Sequence, residues 1–295
     1  MSGFMSNSTA MSVFMADGAK FNPEALKKHV FSTSIDEEGK RAGWVGFGDP
    51  LDLDFEFGLD QSGFAGFSLR IDSRSVSSAA VAIQLAEALK EKESAGQPVK
   101  GKAKKELKEA IIGKLTSAAP FVPSLTDCLW DVNQGRLLIS TTSAKTLQSV
   151  LKLFQATFGL EPAPLVPKQD ISAVFAEICR NEQYDCAGFI LSPVGSASLA
   201  TASQEDTKAL VAVQNNANSV VSALDEGLNI RKLRLLATSE EDSELQYDFA
   251  LDTALGVSGL KLPKAEKDAE KDAEFFLKAD ACSNVANILD ALANK

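Results

Sequence analysis

The sequence is poor in the residues that most metal sites and many nucleophilic sites require. It has one histidine, His29, and four cysteines, Cys128, Cys179, Cys186 and Cys282, none of which form a CxxC pair. Because zinc sites draw on closely spaced cysteines and histidines, we expect no metal centre and no cofactor. Widely spaced cysteines are typical of free thiols in a reducing compartment, so we expect a cytoplasmic protein.

Two further absences narrow the choice of function. The sequence contains no GxxxxGK[ST] segment, so it lacks the usual phosphate-binding loop of ATP-using proteins. No apolar run approaches the ~18 residues that a membrane helix needs, so we expect no membrane partner. With 45% hydrophobic and 24% charged residues in 295, the composition is typical of a folded globular protein.

Positive charge is scarce except in one segment. The chain has 30 lysines and arginines against 40 aspartates and glutamates, yet residues 90–114 contain eight lysines and four glutamates. That segment carries +4, which leaves −14 for the remainder. Five of its lysines are close together: Lys100, Lys102, Lys104, Lys105 and Lys108. Such a cationic site on an anionic protein can bind a polyanion such as DNA, although solvated lysine-rich loops are also common.

Apolar spacing places these lysines in a helical hairpin. One helix is predicted from near Ser75 to Gly96, and a second carries Leu107, Ile111 and Leu115 at i, i+4 and i+8. The lysine segment lies between the two apolar stretches. We therefore expect the positive charge at the tip of the hairpin.

Elsewhere, short strands and helices mix without a regular βαβ rhythm. Strands are predicted over residues 11–15, 51–59, 64–71, 128–132, 136–141, 231–236, 245–251 and 260–263. Helices are predicted over residues 22–29, 171–179, 204–224 and 282–292, and between a cap at Thr142 or Ser143 and a terminating Gly159. Helices combined with mostly antiparallel strands favour an α+β fold.

The alternating segment 51–59 offers a second candidate site. As a strand it would place Asp52, Asp54 and Glu56 on one face, where a row of carboxylates could hold Mg²⁺ for a two-metal nuclease. The solvated face of a half-buried strand explains the same alternation without any chemistry. A Mg²⁺-dependent nuclease is therefore the less favoured alternative.

Of three notable aromatic residues, two have more than one interpretation. Trp44 and Trp130 are predicted core residues, but Trp44 follows Arg41 closely enough for base stacking to be an alternative. Phe121 lies between Pro120 and Pro123. It is either a contact residue at a self-association surface or a plug that packs under its own hairpin.

The order of these segments resembles the bacterial recombination-associated RdgC family. The resemblance is strongest over residues 40–165 and is carried by Gly43-Trp44-Val45, the lysine-rich hairpin, Phe121, the strand–turn–strand of residues 129–139 and Ser143-Ala144-Lys145. It implies an α+β protomer shaped like a horseshoe, with antiparallel sheets, a protruding helical hairpin tip and a base region. Residues 1–74 and 121–165 would then form the central region, residues 75–120 the tip and residues 166–295 the base.

The resemblance also implies a function without catalysis. Two protomers would close into a ring around duplex DNA, bind it without sequence preference at the nucleoid and limit the access of RecA-type recombinase. The five lysines and Gln204 would contact DNA, and Phe121 would help ring closure. In the base region only Gln204 matches the family, and Ser203 stands where a lysine is expected, which leaves open whether the base contacts DNA. The main alternative is an acidic protein-interaction module that has lost DNA binding.

Overall fold

The fold alternates short strands with helices along the chain. A computed structural model describes residues 3–17, 21–36, 39–59, 63–97, 99–201, 217–266 and 268–294. The strands within those residues are β1 (Ser8–Met15), β2 (Arg41–Gly46), β3 (Phe64–Ser73), β4 (Val122–Asp131), β5 (Arg136–Ile139), β6 (Ala163–Pro164), β7 (Tyr184–Cys186), β8 (Phe189–Ala200), β9 (Asn229–Ser239), β10 (Gln246–Asp252) and β11 (Val257–Lys261). The helices are α1 (Pro23–Lys27), α2 (Ser78–Ser94), α3 (Lys102–Ala118), α4 (Ala144–Phe158), α5 (Ile171–Asn181), α6 (Ala217–Asp225) and α7 (Lys271–Asn294).

The strands follow one order of pairing, β2-β3-β4-β5-β1-β11-β10-β9-β8-β7, with β6 paired to β1. Strand β1 is central because its first half pairs with β11 and its second half with β5, both antiparallel. Strands β7 to β10 are likewise joined by antiparallel pairs. Helices combined with an antiparallel sheet confirm the predicted α+β class.

The chain divides into two compact units. Unit 1 comprises Met1–Val30, Trp44–Leu69 and Leu125–Lys295, and unit 2 comprises Phe31–Gly43 and Arg70–Ser124. Unit 2 therefore contains α2 and α3. The division into central, tip and base regions stays a prediction.

Helix α7 lies in the core of unit 1. Its apolar residues from Phe275 to Ala293 are largely buried, and so is Lys278 at 2% exposure. The Lys278 ammonium donates to the carbonyl of Met5 and to Glu274 Oε1, each at 2.6 Å. A buried charge needs such partners because it has lost its hydration, so these contacts fix the start of the chain on α7.

An aromatic cluster fills another part of unit 1. Trp44 and Trp130 are fully buried, which confirms their prediction as core residues. The Trp44 ring packs edge-on against Phe67 at 5.0 Å, and its Nε1 donates to Thr157 Oγ1 at 2.8 Å. Trp130 packs against Phe154 at 5.1 Å. Because the Trp44 ring has no exposed face, it is not available for base stacking.

The predicted strand at residues 51–59 is wrong, because this segment is a loop. The Asp52 carboxylate accepts hydrogen bonds from the backbone N–H groups of Asp54, Phe55 and Glu56, at 3.1, 2.8 and 3.0 Å. A short aspartate side chain thus satisfies backbone groups that a strand would pair with a neighbour. Leu51, which the strand would have half-buried, is 80% exposed.

Of the helices in the described part of the chain, none is both long enough and apolar enough to span a bilayer.

Candidate nucleic-acid interface

Helices α2 and α3 form the predicted hairpin in unit 2. Ser77 caps α2, because its hydroxyl accepts a hydrogen bond from the backbone N–H of Ala80 at 3.2 Å. After α2 the chain turns through Gly96, whose φ of 73° is a left-handed conformation that glycine adopts without strain. Helix α3 then begins at Lys102, after Gly101. The lysine segment therefore occupies the connection between the helices and the first turns of α3.

The hairpin has little core of its own. Val81 is the one buried residue of α2, and α3 has none. Leu107, Ile111 and Leu115 are half-buried, as their i, i+4, i+8 spacing predicts for a face that packs against α2. The remaining surface of α3 is exposed, so its charged side chains face solvent on most sides.

All five predicted lysines of this segment are exposed. Lys102 is 91% exposed and lies 3.8 Å from Glu106, and Lys105 is 79% exposed and lies 3.8 Å from Glu109. Exposed pairs of this kind contribute about 0.5 kcal/mol or less, so a phosphate can displace them easily. Within the described residues the other three lysines, Lys100, Lys104 and Lys108, have no carboxylate within 4.0 Å.

The start of α3 concentrates positive charge beyond what its lysines supply. Gly101 offers no side-chain cap, and the first turn contains no acidic residue. Lys102, Lys104 and Lys105 lie in or beside that turn, where the helix dipole is already positive. Each such cation is typically unfavourable by about 0.3–1 kcal/mol. A bound anion would relieve this repulsion and could accept hydrogen bonds from the free N–H groups.

The charge of unit 2 as a whole is opposite to that of the chain. Unit 2 has twelve basic and nine acidic residues, a net charge of +3. Because the chain carries −10, the rest of the molecule carries −13. A polyanion is therefore attracted to unit 2 and repelled from most of unit 1.

Phe121 is half-buried in unit 2 and lies against two arginines. The guanidinium carbon of Arg41 is 3.9 Å from the centre of the ring, and that of Arg74 is 4.3 Å from it. Arg74 Nη1 also donates to the carbonyl of Ser117 at 3.0 Å. The two cations thus lie within about 8 Å of each other, where they repel by about 0.5 kcal/mol in water and about 2 kcal/mol near a protein surface.

The sheet order explains why these three residues meet. Arg41 begins β2, Arg74 follows β3 and Phe121 precedes β4, and the three strands are neighbours. Sequence reasoning missed Arg74 and considered Arg41 only beside Trp44. The three positions are far apart in the chain, so only the strand order could have brought them together in a prediction.

A third arginine of unit 2 stacks in the same way but is neutralised. Arg70 lies 4.0 Å from the ring of Phe31, and its Nε and Nη2 each donate to the Asp72 carboxylate at 2.8 Å. Bidentate pairing satisfies the geometry of both groups. Among the residues that the structure describes, neither Arg41 nor Arg74 has a carboxylate within 4.0 Å.

The remaining predicted site residues are Gln204 and the carboxylates of residues 52–56. Gln204 lies outside the described residues. The carboxylate row of Asp52, Asp54 and Glu56 is not formed, since Asp52 is engaged with backbone N–H groups. The described ranges contain no group of three or more histidine, cysteine, aspartate or glutamate side chains that could hold a metal ion.

Comparison with known proteins adds an independent finding. The model of a family described as "Putative exonuclease, RdgC" matches residues 12–292 of the 295. The word exonuclease in that description names the family and assigns no residue of this chain a role. No curated protein matched the sequence. Because the match spans nearly the whole chain, the protein belongs to the RdgC family, a membership that associates it with DNA and recombination.

Proposed function

We propose that this protein binds duplex DNA without sequence preference through the lysine-rich start of α3. Two copies encircle the duplex as a homodimer and limit the access of a RecA-type recombinase. The protein acts by binding, without catalysis, in the cytoplasm at the nucleoid. The observation that carries the proposal is a group of exposed lysines on an otherwise anionic chain, namely Lys100, Lys102, Lys104, Lys105 and Lys108.

The chemistry of these side chains suits non-specific binding. A lysine ammonium is a compact charge on a flexible stem, so it contacts phosphates without reading the edges of the bases. Each phosphate that it neutralises releases condensed counterions. Five contacts give a slope of log affinity against log salt of about −4.5, which makes binding strongly salt-dependent.

A titration of labelled duplex by fluorescence anisotropy tests the site. We expect wild-type protein to bind two duplexes of unrelated sequence equally, and to bind more weakly at about 200 mM than at about 50 mM salt. Binding should be lost when four lysines are changed to glutamate: Lys102, Lys104, Lys105 and Lys108. The charge-matched control changes four exposed lysines of unit 1 to glutamate: Lys28, Lys145, Lys152 and Lys264.

The two variants separate a local site from a general effect of charge. If both lose binding equally, net charge governs the interaction and the α3 site is wrong. Intact binding by the α3 variant would also contradict the assignment. If wild-type protein binds no duplex at low salt, the DNA-binding proposal itself fails.

Solution mass tests the assembly. We expect a mass twice the 31.4 kDa of one chain, and a further increase with duplex DNA. Strand-exchange assays with a RecA-type recombinase should then show inhibition that depends on the same lysines. A monomer at micromolar concentration would contradict the encircling dimer.

A second candidate function, an acidic protein-interaction module, is favoured by the loop at residues 49–56. Leu51 is 80% and Leu53 is 45% exposed, and the loop also carries Asp49, Asp52, Asp54 and Glu56. Exposed leucines among carboxylates suit an apolar pocket with a basic rim. Capture of purified recombinase that survives nuclease treatment and is lost on changing Leu51 and Leu53 to serine would support this candidate over DNA binding.

A further inference from the structure

We infer that Arg41 and Arg74, held against the ring of Phe121, form a second phosphate-binding site in unit 2 and that Phe121 positions it. The inference rests on the proposed DNA binding, since the ligand is a phosphodiester of the duplex backbone. The second site adds two phosphate contacts to those of the α3 lysines. Phe121 then has a role within its own chain.

The guanidinium groups of Arg41 and Arg74 concentrate positive charge at Phe121. Two guanidinium groups lie within about 8 Å of each other against one ring. In the described part of the chain, neither has a carboxylate partner within 4.0 Å. Arg70 of the same unit also stacks on a ring, but its charge is neutralised within the chain, because Asp72 accepts two of its hydrogen bonds. Within the described residues the pair at Phe121 therefore keeps two positive charges that an external anion can neutralise.

The same two guanidinium groups also supply hydrogen-bond donors. Arg41 and Arg74 are half-buried, and within the described residues their Nε atoms are buried without a hydrogen-bond partner. Arg74 uses Nη1 on the Ser117 carbonyl at 3.0 Å. In the described part of the chain the other terminal nitrogens of the two groups have no hydrogen-bond partner, and a guanidinium can offer two parallel N–H groups to a phosphate oxyanion.

Phe121 restricts the conformations of both arginine side chains. A free arginine side chain loses rotamer freedom when it binds, which weakens the contact. The face of an aromatic ring attracts a guanidinium, and here it holds two of them near 4 Å. Phe121 thus orders both arginines before a phosphate arrives. It acts through them as a positioning residue.

The experiment measures the salt dependence of duplex binding for paired variants. Changing Arg41 and Arg74 together to glutamine should reduce the magnitude of the salt slope by about 1.8, from two lost phosphate contacts. A charge-matched control, Lys145→Gln with Arg180→Gln in unit 1, should leave the slope unchanged. Changing Arg41 and Arg74 together to lysine should restore much of the slope but less of the affinity, because an ammonium lacks the bidentate fork.

The role of Phe121 is tested separately. Phe121→Leu should weaken duplex binding several-fold while the solution mass stays that of wild-type protein. Phe121→Trp should keep the affinity, since an indole face also holds guanidinium groups. Amide hydrogen exchange of α2 and α3 shows whether either variant disturbs the hairpin.

The outcomes distinguish this inference from the function on which it rests. If wild-type protein binds duplex and the glutamine pair keeps its salt slope, the second site is wrong and DNA binding stands. If wild-type protein binds no duplex, both fail. A Phe121→Leu protein that turns monomeric with an unchanged salt slope would place the ring at a subunit contact and overturn its positioning role. Inorganic phosphate that competes as well as an equal concentration of DNA phosphate would show a site for the free anion, which contradicts the backbone assignment.

Discussion

The Asp127 carboxylate accepts a hydrogen bond from the backbone N–H of Phe4 at 2.9 Å, deep inside unit 1. Its other oxygen accepts one from the Ser68 hydroxyl at 2.7 Å. Burial raises the pKa of Asp127, and the hydrogen bonds from Ser68 and Phe4 oppose that rise. One carboxylate of β4 therefore joins the start of the chain to β3 and β4.

Removing that carboxylate should destabilise unit 1. We expect Asp127→Ala to lower the free energy of unfolding by about 2–3 kcal/mol, because the Phe4 N–H and the Ser68 hydroxyl lose their buried acceptor. Denaturant unfolding followed by tryptophan fluorescence measures the change. Glu161→Ala, at an exposed position, is the control and should differ from wild type by less than about 0.5 kcal/mol.

A pH-dependent contribution is expected from Asp248 in β10. Burial alone would raise the pKa of Asp248, but the ion pairs with Arg234 and Lys261, at 2.7 and 2.5 Å, outweigh it and hold this pKa below the ordinary value of 3.8. A lowered folded-state pKa stabilises the protein above pH ~4, and the contribution is lost as the pH falls through the folded-state value. Asp248→Asn should therefore lower the free energy of unfolding by about 1 kcal/mol at pH 7.

Unfolding measured across pH separates this ion pair from other effects. The difference between wild type and Asp248→Asn should shrink as the pH is lowered from ~4 through the folded-state pKa of Asp248, since the wild-type side chain is protonated below that value. Asp268→Asn, at an exposed position, should show no comparable difference at pH 7. A difference for Asp248→Asn that is constant from pH 7 to pH 3 would contradict the ionic explanation.

Two glycines of the hairpin should respond in opposite directions to alanine. Gly101 has a φ of 56°, where an L side chain is strained, whereas Gly113 lies inside α3. Neither has an atom within 4 Å of an added Cβ, so packing does not decide the result. Gly101→Ala should cost about 1 kcal/mol, and Gly113→Ala should stabilise α3 by about 0.5–1 kcal/mol.

Amide hydrogen exchange across residues 102–118 measures both changes. Exchange should be faster in Gly101→Ala and slower in Gly113→Ala than in wild type. Equal exchange rates in the two variants would contradict this prediction, because they would show that local opening of α3 does not limit the exchange rate.

Single lysines should contribute to DNA binding in proportion to the phosphates they contact. Lys104→Gln should reduce the magnitude of the salt slope by about 0.9. Lys152→Gln, on an exposed position of α4, should leave the slope unchanged. A loss of affinity for Lys104→Gln that is independent of salt would indicate that Lys104 acts through folding and not through a phosphate.

The parts of the fold that local chemistry determines could be predicted from the sequence. Strands β4 and β5 follow from the three-residue turn at residues 133–135, where Gly135 has a positive φ, and helix α4 follows from its apolar stripe and from Gly159, which ends α4 in the left-handed conformation. Asn22 and Pro23 likewise mark the start of α1, where the Asn22 side chain caps the helix. At each of these places the local signal and the tertiary structure agree.

The remaining differences have identifiable causes. The segment 51–59 alternates like a strand, but Asp52 captures three backbone N–H groups and closes a loop. The sequence does not predict strand β8, because its serines and its glycine obscure the two-residue alternation of apolar and polar side chains. Its register with β9 also shifts between Pro193 and Ala197. The contact of Arg41 and Arg74 with Phe121 depends on the order of three strands, which no local pattern encodes.

The scarcity of buried side chains in the hairpin has a consequence for how this protein can change over time. Since α3 has no buried residue, most of its positions can be replaced without disturbing the interior of the molecule. Substitutions in α3 could therefore raise, lower or abolish the affinity for a polyanion in descendants of this chain while folding stays intact. Selection on affinity and selection on stability would then act on separate sets of codons.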